Sequence, residues 1–350
     1  MNNDKMKEIA MDKYIKRLHY INQFGELDPL CLAIDCWEQI LFQALRDYEI
    51  DYKFAFCDDI NIKYYTREDR CLICKSSLGL NSSLYNIETL SHNAYDIFNI
   101  INKTLDSNKF IAFKTMFDMI PAYTWYKKDS LGNHNTHIST IIGYDENNYY
   151  ITDSPLVLVK DRCDFHPQNQ TIVKINQKIF NDSFSRYCEL ITIDINEYNI
   201  TNIYKLDELL YLIVENYYNP TMDNDGDIDI YYGRNALVKL YNSVSNQKFT
   251  YLKKHFFSNH FELHILYSRR LILKWCLEAH SCKYIKNIYF EKVIFYLNRS
   301  IEEWNTLKLI TIKNNYSGVK NYRQLIKKYL KDIIIIEDQL INNLNCMIQQ

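Results

Sequence analysis

Three residues that could form a catalytic triad occur along the chain in the order Cys36, His137 and Asp153. A thiol is a weak nucleophile until it ionises, and both a helix N-terminus and a neighbouring histidine favour the thiolate. The histidine can then move protons, while a carboxylate fixes the tautomer and orientation of the imidazole. We therefore predict that Cys36 is the nucleophile, His137 the base and Asp153 the residue that orients this base.

The sequence around Cys36 predicts that its sulfur lies at the start of a helix. Asp35 is a favourable N-cap residue and Glu38 completes a capping box. Apolar residues then recur at helical spacing, namely Ile40, Leu41, Ala44 and Leu45. The backbone N–H of Cys36, at the first turn, is the simplest oxyanion donor. Cys31 is the alternative nucleophile, because Asp28-Pro29 is also a helix start signal.

The second part of the triad depends on a predicted β-hairpin. Residues 137–144 and 149–153 have strand character, and the turn residues Asp-Glu-Asn-Asn lie between them. An odd loop centred on Asp145 would place His137 directly opposite Asp153, with their Cβ atoms about 5 Å apart. A loop of four residues would place them on opposite faces of the sheet. We predict the odd loop, with Gly143 relieving strain at its start.

The predicted secondary structure changes near residue 199 from mixed helices and strands to helices. Before it, a helix at 94–105 and a strand at 110–117 precede the hairpin. After it, long amphipathic helices are predicted at 206–217, 234–244, 262–279, 290–307 and 322–344. The segment 219–233, with Pro220, four aspartates and two glycines, is predicted as a loop. We expect an α+β protein with a catalytic domain at 1–198 and a mainly helical domain at 199–350.

Composition and charge exclude several classes of function. The net charge of −2, with both signs interspersed, predicts neither a nucleic-acid-binding nor a membrane-binding surface. The chain has no apolar run long enough to cross a bilayer, and its start lacks an apolar secretory segment. Both observations favour the cytoplasm, and the ten cysteines are then expected to be reduced thiols.

Other patterns resemble metal sites but depart from them. Cys71-x-x-Cys74 lacks a second ligand pair at zinc spacing and a thioredoxin-like surrounding, so plain thiols are favoured. The alternating aspartates 223–229 lack a calcium loop's sixth-position glycine and twelfth-position glutamate, which favours a solvated acidic turn. His260 and His264 lack the glutamate of a zinc peptidase helix. We expect neither a metal nor a bound cofactor.

At these residues the chain resembles the butirosin biosynthesis protein H family of papain-like cysteine enzymes. Residues 35–48 are similar to the family's nucleophile helix. The segment from Phe117-Asp118 through Pro121 and Tyr123 is similar to its second landmark, which continues through the histidine strand to Asp153. Gly233, heading a helix, is weakly similar to its helical C-terminal region. Trp37 departs from the pattern, because a small residue is common after the cysteine.

This resemblance implies a papain-like cysteine-protease fold, with an antiparallel sheet and an N-terminal nucleophile helix, and a mainly helical C-terminal domain. It implies a natural-product acyltransferase that moves an acyl group from a carrier-protein thioester to a peptide or aminoglycoside-type amine. The acyl group would arrive on the phosphopantetheine of a partner carrier protein. Cys36, His137 and Asp153 match the family's triad. A peptidase or amidase with the same triad, and an inactive binding scaffold, are the alternatives, since all three share the fold.

Overall fold

The structure is a computed structural model, and it describes residues 60–67, 70–74, 85–91, 97–107, 109–116, 136–153, 171–184, 188–195, 206–219, 223–225, 228–245, 249–253, 257, 260–284 and 286–350. They fall into two compact units. The described part of the first unit lies within residues 85–195. That of the second lies within 60–74 and 206–350.

Strands and helices of the described residues are numbered in chain order. The strands are β1 (Lys63–Arg67), β2 (Arg70–Cys74), β3 (Tyr85–Ser91), β4 (Phe110–Met116), β5 (Thr136–Tyr144), β6 (Asn148–Asp153), β7 (Thr171–Asn176), β8 (Cys188–Ile195), β9 (Asp223–Asp225) and β10 (Ile228–Tyr232). The helices are α1 (Ile97–Asp106), α2 (Gln177–Phe184), α3 (Leu206–Tyr218), α4 (Gly233–Ser245), α5 (Phe249–Leu252), α6 (His260–Ala279), α7 (Ser281–Tyr284), α8 (Phe290–Ser317) and α9 (Tyr322–Ile348).

The first unit is built on a six-stranded sheet with the order β3-β8-β4-β5-β6-β7, in which every neighbouring pair is antiparallel. One face of this sheet forms a hydrophobic core with α1 and α2. Phe180 of α2 packs edge-on against Phe113 of β4, with ring centroids 4.9 Å apart. Burying each large apolar side chain contributes about 1.5–3 kcal/mol, so this cluster fixes the central strands relative to one another.

Helix α1 covers this face because its apolar residues repeat every four positions. Ile97, Ile101 and Leu105 are all buried in the cluster. A four-residue repeat lies on one side of an α-helix, so a single stripe of α1 can face the sheet. Thr104 donates its hydroxyl to the Ile100 carbonyl at 2.7 Å within the same helix. The predicted helix at 94–105 is thereby confirmed, with observed bounds of Ile97–Asp106.

The register of the β5–β6 hairpin differs from the predicted one. Tyr144 pairs with Tyr149, so the connection is even rather than odd. Ile141 pairs with Ile151. Between this pair and the turn, a β-bulge in β5 shifts the register by one residue. A bulge adds one residue to one strand, and it therefore reverses which residues of that strand face the core. The predicted odd loop is therefore wrong. The bulge nevertheless keeps His137 on the same sheet face as position 153, whereas the even turn alone would have placed them on opposite faces.

The second unit contains a four-stranded antiparallel sheet with the order β2-β1-β10-β9. Strands β9 and β10 form a hairpin within the segment predicted as a loop, so that prediction is wrong. Strand β1 pairs with β10 across a long separation, with Lys63 opposite Tyr232. This pairing places two strands from within residues 1–198 in the unit of the C-terminal helices. The predicted boundary at residue 199 lies outside the described residues.

Five long helices make up most of the described second unit, and their predicted positions are confirmed except for the end of α8, which continues to Ser317 rather than ending at residue 307. Helix α8 packs against both α6 and α9, and α9 also packs against α3 and α4. Each has a buried apolar stripe at helical spacing, which is why the periodicity of the sequence located it. The mixed α and β composition, the antiparallel sheets and the mainly helical C-terminal region are confirmed. None of the helices in the described part of the chain is both long and apolar enough to cross a bilayer.

Candidate active site

The candidate site lies at the polar end of the buried sheet face of the first unit. Along β4, the residue on this face is apolar at Phe113 and polar at Thr115. Along β5, the residues on this face are apolar at Ile141 and polar at Ser139 and His137. Thr115, Ser139 and His137 are only 0%, 1% and 4% exposed. The apolar core thus ends in a buried polar group that includes the predicted base.

His137 is held in this place by its ladder position. It pairs with Thr115 of β4, and two residues further along Ser139 pairs with Phe113. Residues directly opposite in an antiparallel pair have Cβ atoms about 5 Å apart, so the Cβ atoms of His137 and Thr115 are neighbours on this face. A buried polar group left without a partner costs about 1–3 kcal/mol. Polar neighbours at this end of the face can therefore hold the ring in one orientation.

Asp153 is the last residue of β6, where it pairs with Thr171 of β7. Thr140 pairs with Thr152, so continuing this register by one residue puts position 153 opposite Ser139. The prediction of direct pairing with His137 is wrong. Position 153 is instead diagonal to His137 on the same face, at about 7–8 Å.

The predicted nucleophile lies outside the described residues, and so does its alternative, Cys31. Residues near the base that the sequence analysis missed are Thr115 and Ser139. Both could have been found by alternation, because Ser139 lies two residues from His137 on β5 and Thr115 lies two residues from the apolar Phe113 on β4. They were missed because a single threonine or serine in a strand is common and has no motif of its own.

The turn of the hairpin that positions His137 is organised by Asp145. Its Oδ1 accepts hydrogen bonds from the backbone N–H groups of Asn147 and Asn148 at 2.9 and 2.8 Å, and from the Asn148 side chain at 2.7 Å. Its Oδ2 accepts from the Tyr150 hydroxyl at 2.8 Å and lies 3.2 Å from Lys174 Nζ. Partial burial alone would raise the pKa of Asp145, but these bonds outweigh it and lower the pKa to about 2.

We expect Asp145→Ala to weaken the β5–β6 hairpin by about 1–2 kcal/mol at pH 7, because donors to a charged acceptor lose their partner. The folded pKa is depressed, so this contribution is present above the unfolded value of 3.8 and is lost as pH falls toward 2. Hydrogen exchange of hairpin peptides measures the local effect. Glu146→Ala, at an exposed neighbouring position, is the matched control and should change exchange little. Equal protection in Asp145→Ala and the parent at pH 7 would contradict the assignment.

The other cysteine and acidic patterns do not form a metal site among the described residues, where no group of three or more His, Cys, Asp or Glu is placed to hold an ion. Cys71 and Cys74 lie in β2, opposite Thr66 and Lys63. Strand positions three apart fall on opposite faces, which disfavours a shared ligand site.

No protein-family model matches this chain, and no curated protein matches it.

Proposed function

We propose that the protein is a cysteine-nucleophile acyltransferase of papain-like fold. It takes an acyl group from a carrier-protein thioester and transfers it to an amine acceptor, a small molecule or a peptide. Cys36 is the nucleophile, His137 the base and Asp153 the residue that orients the base. This assignment rests on the resemblance of the cysteine and histidine segments to the butirosin biosynthesis protein H family.

The observation that best supports the proposal is the placement of His137. A buried histidine lies at the polar end of a core sheet face, and position 153 falls on the same face because of the bulge in β5. A papain-like enzyme requires a strand histidine and a neighbouring orienting residue that share one face, so that both can approach a nucleophile helix. The even turn without the bulge would have reversed the face of His137.

The proposed reaction has two acyl transfers. The Cys36 thiolate attacks the thioester carbonyl, an S–acyl bond forms, and the phosphopantetheine thiolate leaves and takes a proton from the His137 imidazolium. The acceptor amine then attacks the acyl-enzyme and loses a proton to His137. An amide forms and the Cys36 sulfur leaves as thiolate, which restores the starting state. The backbone N–H of Cys36 stabilises the oxyanion in both steps.

Intact-protein mass spectrometry after incubation with an acylated carrier protein tests the function directly. We expect a mass increase equal to the acyl group, located on the Cys36 peptide, which disappears in Cys36→Ala. The matched control is Cys31→Ala, which removes the alternative thiol and should keep the adduct. Release of the acyl group by an added amine, with formation of the amide, distinguishes a transferase from a hydrolase.

Three outcomes would reject the proposal. An adduct that persists in Cys36→Ala places the chemistry elsewhere. Hydrolysis of a peptide or amide without a carrier protein favours a peptidase or amidase. Slow alkylation of Cys36 by iodoacetamide at neutral pH, at a rate that His137→Ala leaves unchanged, favours an inactive scaffold. A thiolate paired with the His137 imidazolium should be alkylated faster than an isolated thiol.

A further inference from the structure

Positive charge is concentrated in two stretches of the second unit. Residues 230–261 and residues 304–331 contain neither aspartate nor glutamate. Together they hold 12 of the 41 Lys and Arg residues and none of the 43 Asp and Glu residues. Although the formal net charge is −2, the two signs are therefore unevenly distributed along the chain. Such clustering creates a local field that the net charge does not show.

The fold brings parts of the two stretches together. Helices α4 and α5 belong to the first stretch and the first turns of α9 to the second, and α4 packs against both α5 and α9. Arg323 Nε of α9 donates to the Val244 carbonyl of α4 at 2.6 Å. The centroids of the Phe249 ring of α5 and the Tyr322 ring of α9 are 6.1 Å apart. These elements therefore form one surface that has no acidic residue of its own.

Five cations of this surface form a basic face. Arg323, Lys327 and Lys331 recur every four residues along α9, so they share one side of the helix over about 12 Å. Lys320 lies in the turn just before α9. Lys253, directly after α5, has its Nζ 5.8 Å from the centroid of the first ring of α9. Lys327 is partly buried and the other four are exposed. The basic face consists of Lys253, Lys320, Arg323, Lys327 and Lys331.

Aromatic rings hold two cations of the basic face in place. The Arg323 guanidinium lies 5.3 Å from the centroid of the Phe249 ring, and Lys327 Nζ lies 5.3 Å from that of the Tyr241 ring. The electrostatic attraction of the ring favours a cation at this distance. Side chains that are already ordered lose less conformational entropy when they bind a ligand. The basic face is therefore partly preorganised for an anion.

No described carboxylate neutralises the basic face. Its four lysines form no salt bridge within the part of the chain that the structure describes. The next two carboxylates along α9 have other neighbours. Asp332 interacts with Glu303 of α8, beside Lys328, and Asp338 pairs with Arg234 at 2.9 Å. An anionic partner would therefore meet cations that have no competing counter-charge in the described chain.

The surroundings of the basic face favour a phosphate backbone as its partner. Among the described residues, the large apolar side chains that are exposed all lie outside α4, α5 and residues 320–331. Protein interfaces depend on such side chains as anchors, and amphipathic membrane helices insert them into lipid. The exposed neighbours here are instead uncharged and polar, namely Asn242, Ser245 and Gln324. Amide and hydroxyl groups, with Lys and Arg, are the groups that contact nucleic-acid phosphates.

We propose that the basic face binds the phosphate backbone of a nucleic acid without reading its base sequence. Each of the five cations contacts a phosphate, and the polar neighbours add hydrogen bonds to the backbone. A duplex carries one charge per about 1.7 Å of its axis, so the 12 Å of the α9 line faces about seven phosphates. The inference goes beyond the acyl transfer proposed at Cys36 and does not depend on it.

Fluorescence anisotropy with the full chain tests the proposal. The probes are a labelled DNA duplex and a labelled single-stranded RNA, both of mixed sequence and about 20 nucleotides per strand. We expect at least one of them to bind with a dissociation constant of about 10⁻⁴–10⁻⁶ M at physiological salt, unchanged when its sequence is scrambled. Five phosphate contacts predict that log K falls with log salt with a slope of about −4.5 for the duplex and about −3.5 for the single strand.

A pair of neutralising substitutions tests whether this face is responsible. Lys327→Gln/Lys331→Gln should make the salt slope shallower by about 2 and weaken binding at about 0.1 M salt at least tenfold. Lys286→Gln/Lys292→Gln is the matched control, because it removes the same charge from exposed positions outside the two acid-free stretches. This control should bind as the parent does. Circular dichroism checks that both variants keep their helices.

Four results would overturn the proposal. Equal weakening in both double variants would show that net charge, rather than this face, attracts the nucleic acid. Absence of binding by both probes at millimolar concentration would remove the site. Sedimentation with phosphatidylserine vesicles, without binding of either probe, would assign the face to a lipid surface. Binding of a polyglutamate peptide that is lost in Lys327→Gln/Lys331→Gln, again without binding of either probe, would assign it to an acidic protein.

Discussion

Replacing Glu337 with alanine is expected to lower the free energy of unfolding by about 3–5 kcal/mol, because it leaves a buried cation without a counter-charge. Glu337 of α9 and Arg270 of α6 are both 1% exposed, and Arg270 Nε lies 2.5 Å from Glu337 Oε1. Urea unfolding followed by circular dichroism at 222 nm measures the change, since the long helices of the second unit dominate that signal.

The effect is large because Glu337 Oε1 is shared by three donors. The Ser300 hydroxyl donates to it at 2.5 Å and the Trp304 indole N–H at 3.1 Å, both from α8. The Arg270 guanidinium lies 5.2 Å from the Trp304 ring centroid and also donates to the Leu266 carbonyl at 2.7 Å. One carboxylate thus links three helices. Its loss leaves a cation, a hydroxyl and an indole in a space that water does not reach.

Two controls separate the buried charge from general damage to the helices. Glu302→Ala, at an exposed position on α8, should change the free energy of unfolding by less than about 0.5 kcal/mol. The double variant Arg270→Met/Glu337→Leu removes both charges together, and similar replacements elsewhere are neutral or stabilising. If the double variant were as unstable as Glu337→Ala, packing volume rather than the unpaired cation would explain the loss.

Gly233→Ala is the second substitution with a large expected effect, about 2–5 kcal/mol of destabilisation. Gly233 begins α4 with φ +48°, a left-handed conformation that costs an L-residue about 1–2 kcal/mol. A Cβ atom there would lie 2.6 Å from both the Cα and the carbonyl oxygen of Tyr217. Those are backbone atoms, so no rotamer change relieves the contact, and α3 and α4 must separate.

Gly318→Ala is the matched control for this substitution. Gly318 ends α8 with φ +68°, but a Cβ atom there would meet nothing within 4 Å. Its conformation of φ +68° and ψ +145° is nearly restricted to glycine, so Gly318→Ala should show a backbone cost alone, about 1–3 kcal/mol. The difference between the two variants in urea unfolding isolates the clash with Tyr217. Equal losses in both would mean that α3 and α4 separate at little cost.

The positions of the long C-terminal helices, of α1 and of strands β4, β5 and β6 could be predicted from the sequence, because they depend on local periodicity and turn residues. The predicted helix at 322–344 matches α9, whose buried residues recur every three or four positions. The strand at 110–117 matches β4 within one residue. The second sheet could not be predicted in this way. Its strands β1 and β10 lie far apart in the chain, and their pairing is a long-range contact that local periodicity does not show.

Local patterns in the sequence locate the long helices and the histidine hairpin, because hydrophobic periodicity and turn residues depend on a few neighbouring positions. The face on which His137 lies depends on tertiary structure, because one extra residue in β5 reverses the alternation. Gly143 beside the bulge is the local signal for it, and the sequence analysis assigned that glycine to the loop instead. Tertiary structure also decides how Glu337 is accommodated. It falls within the apolar stripe of α9, and its charge is tolerated there because Arg270 approaches from another helix. Strand register and the pairing of buried charges both depend on residues that lie far apart in the chain, so tertiary packing determines them.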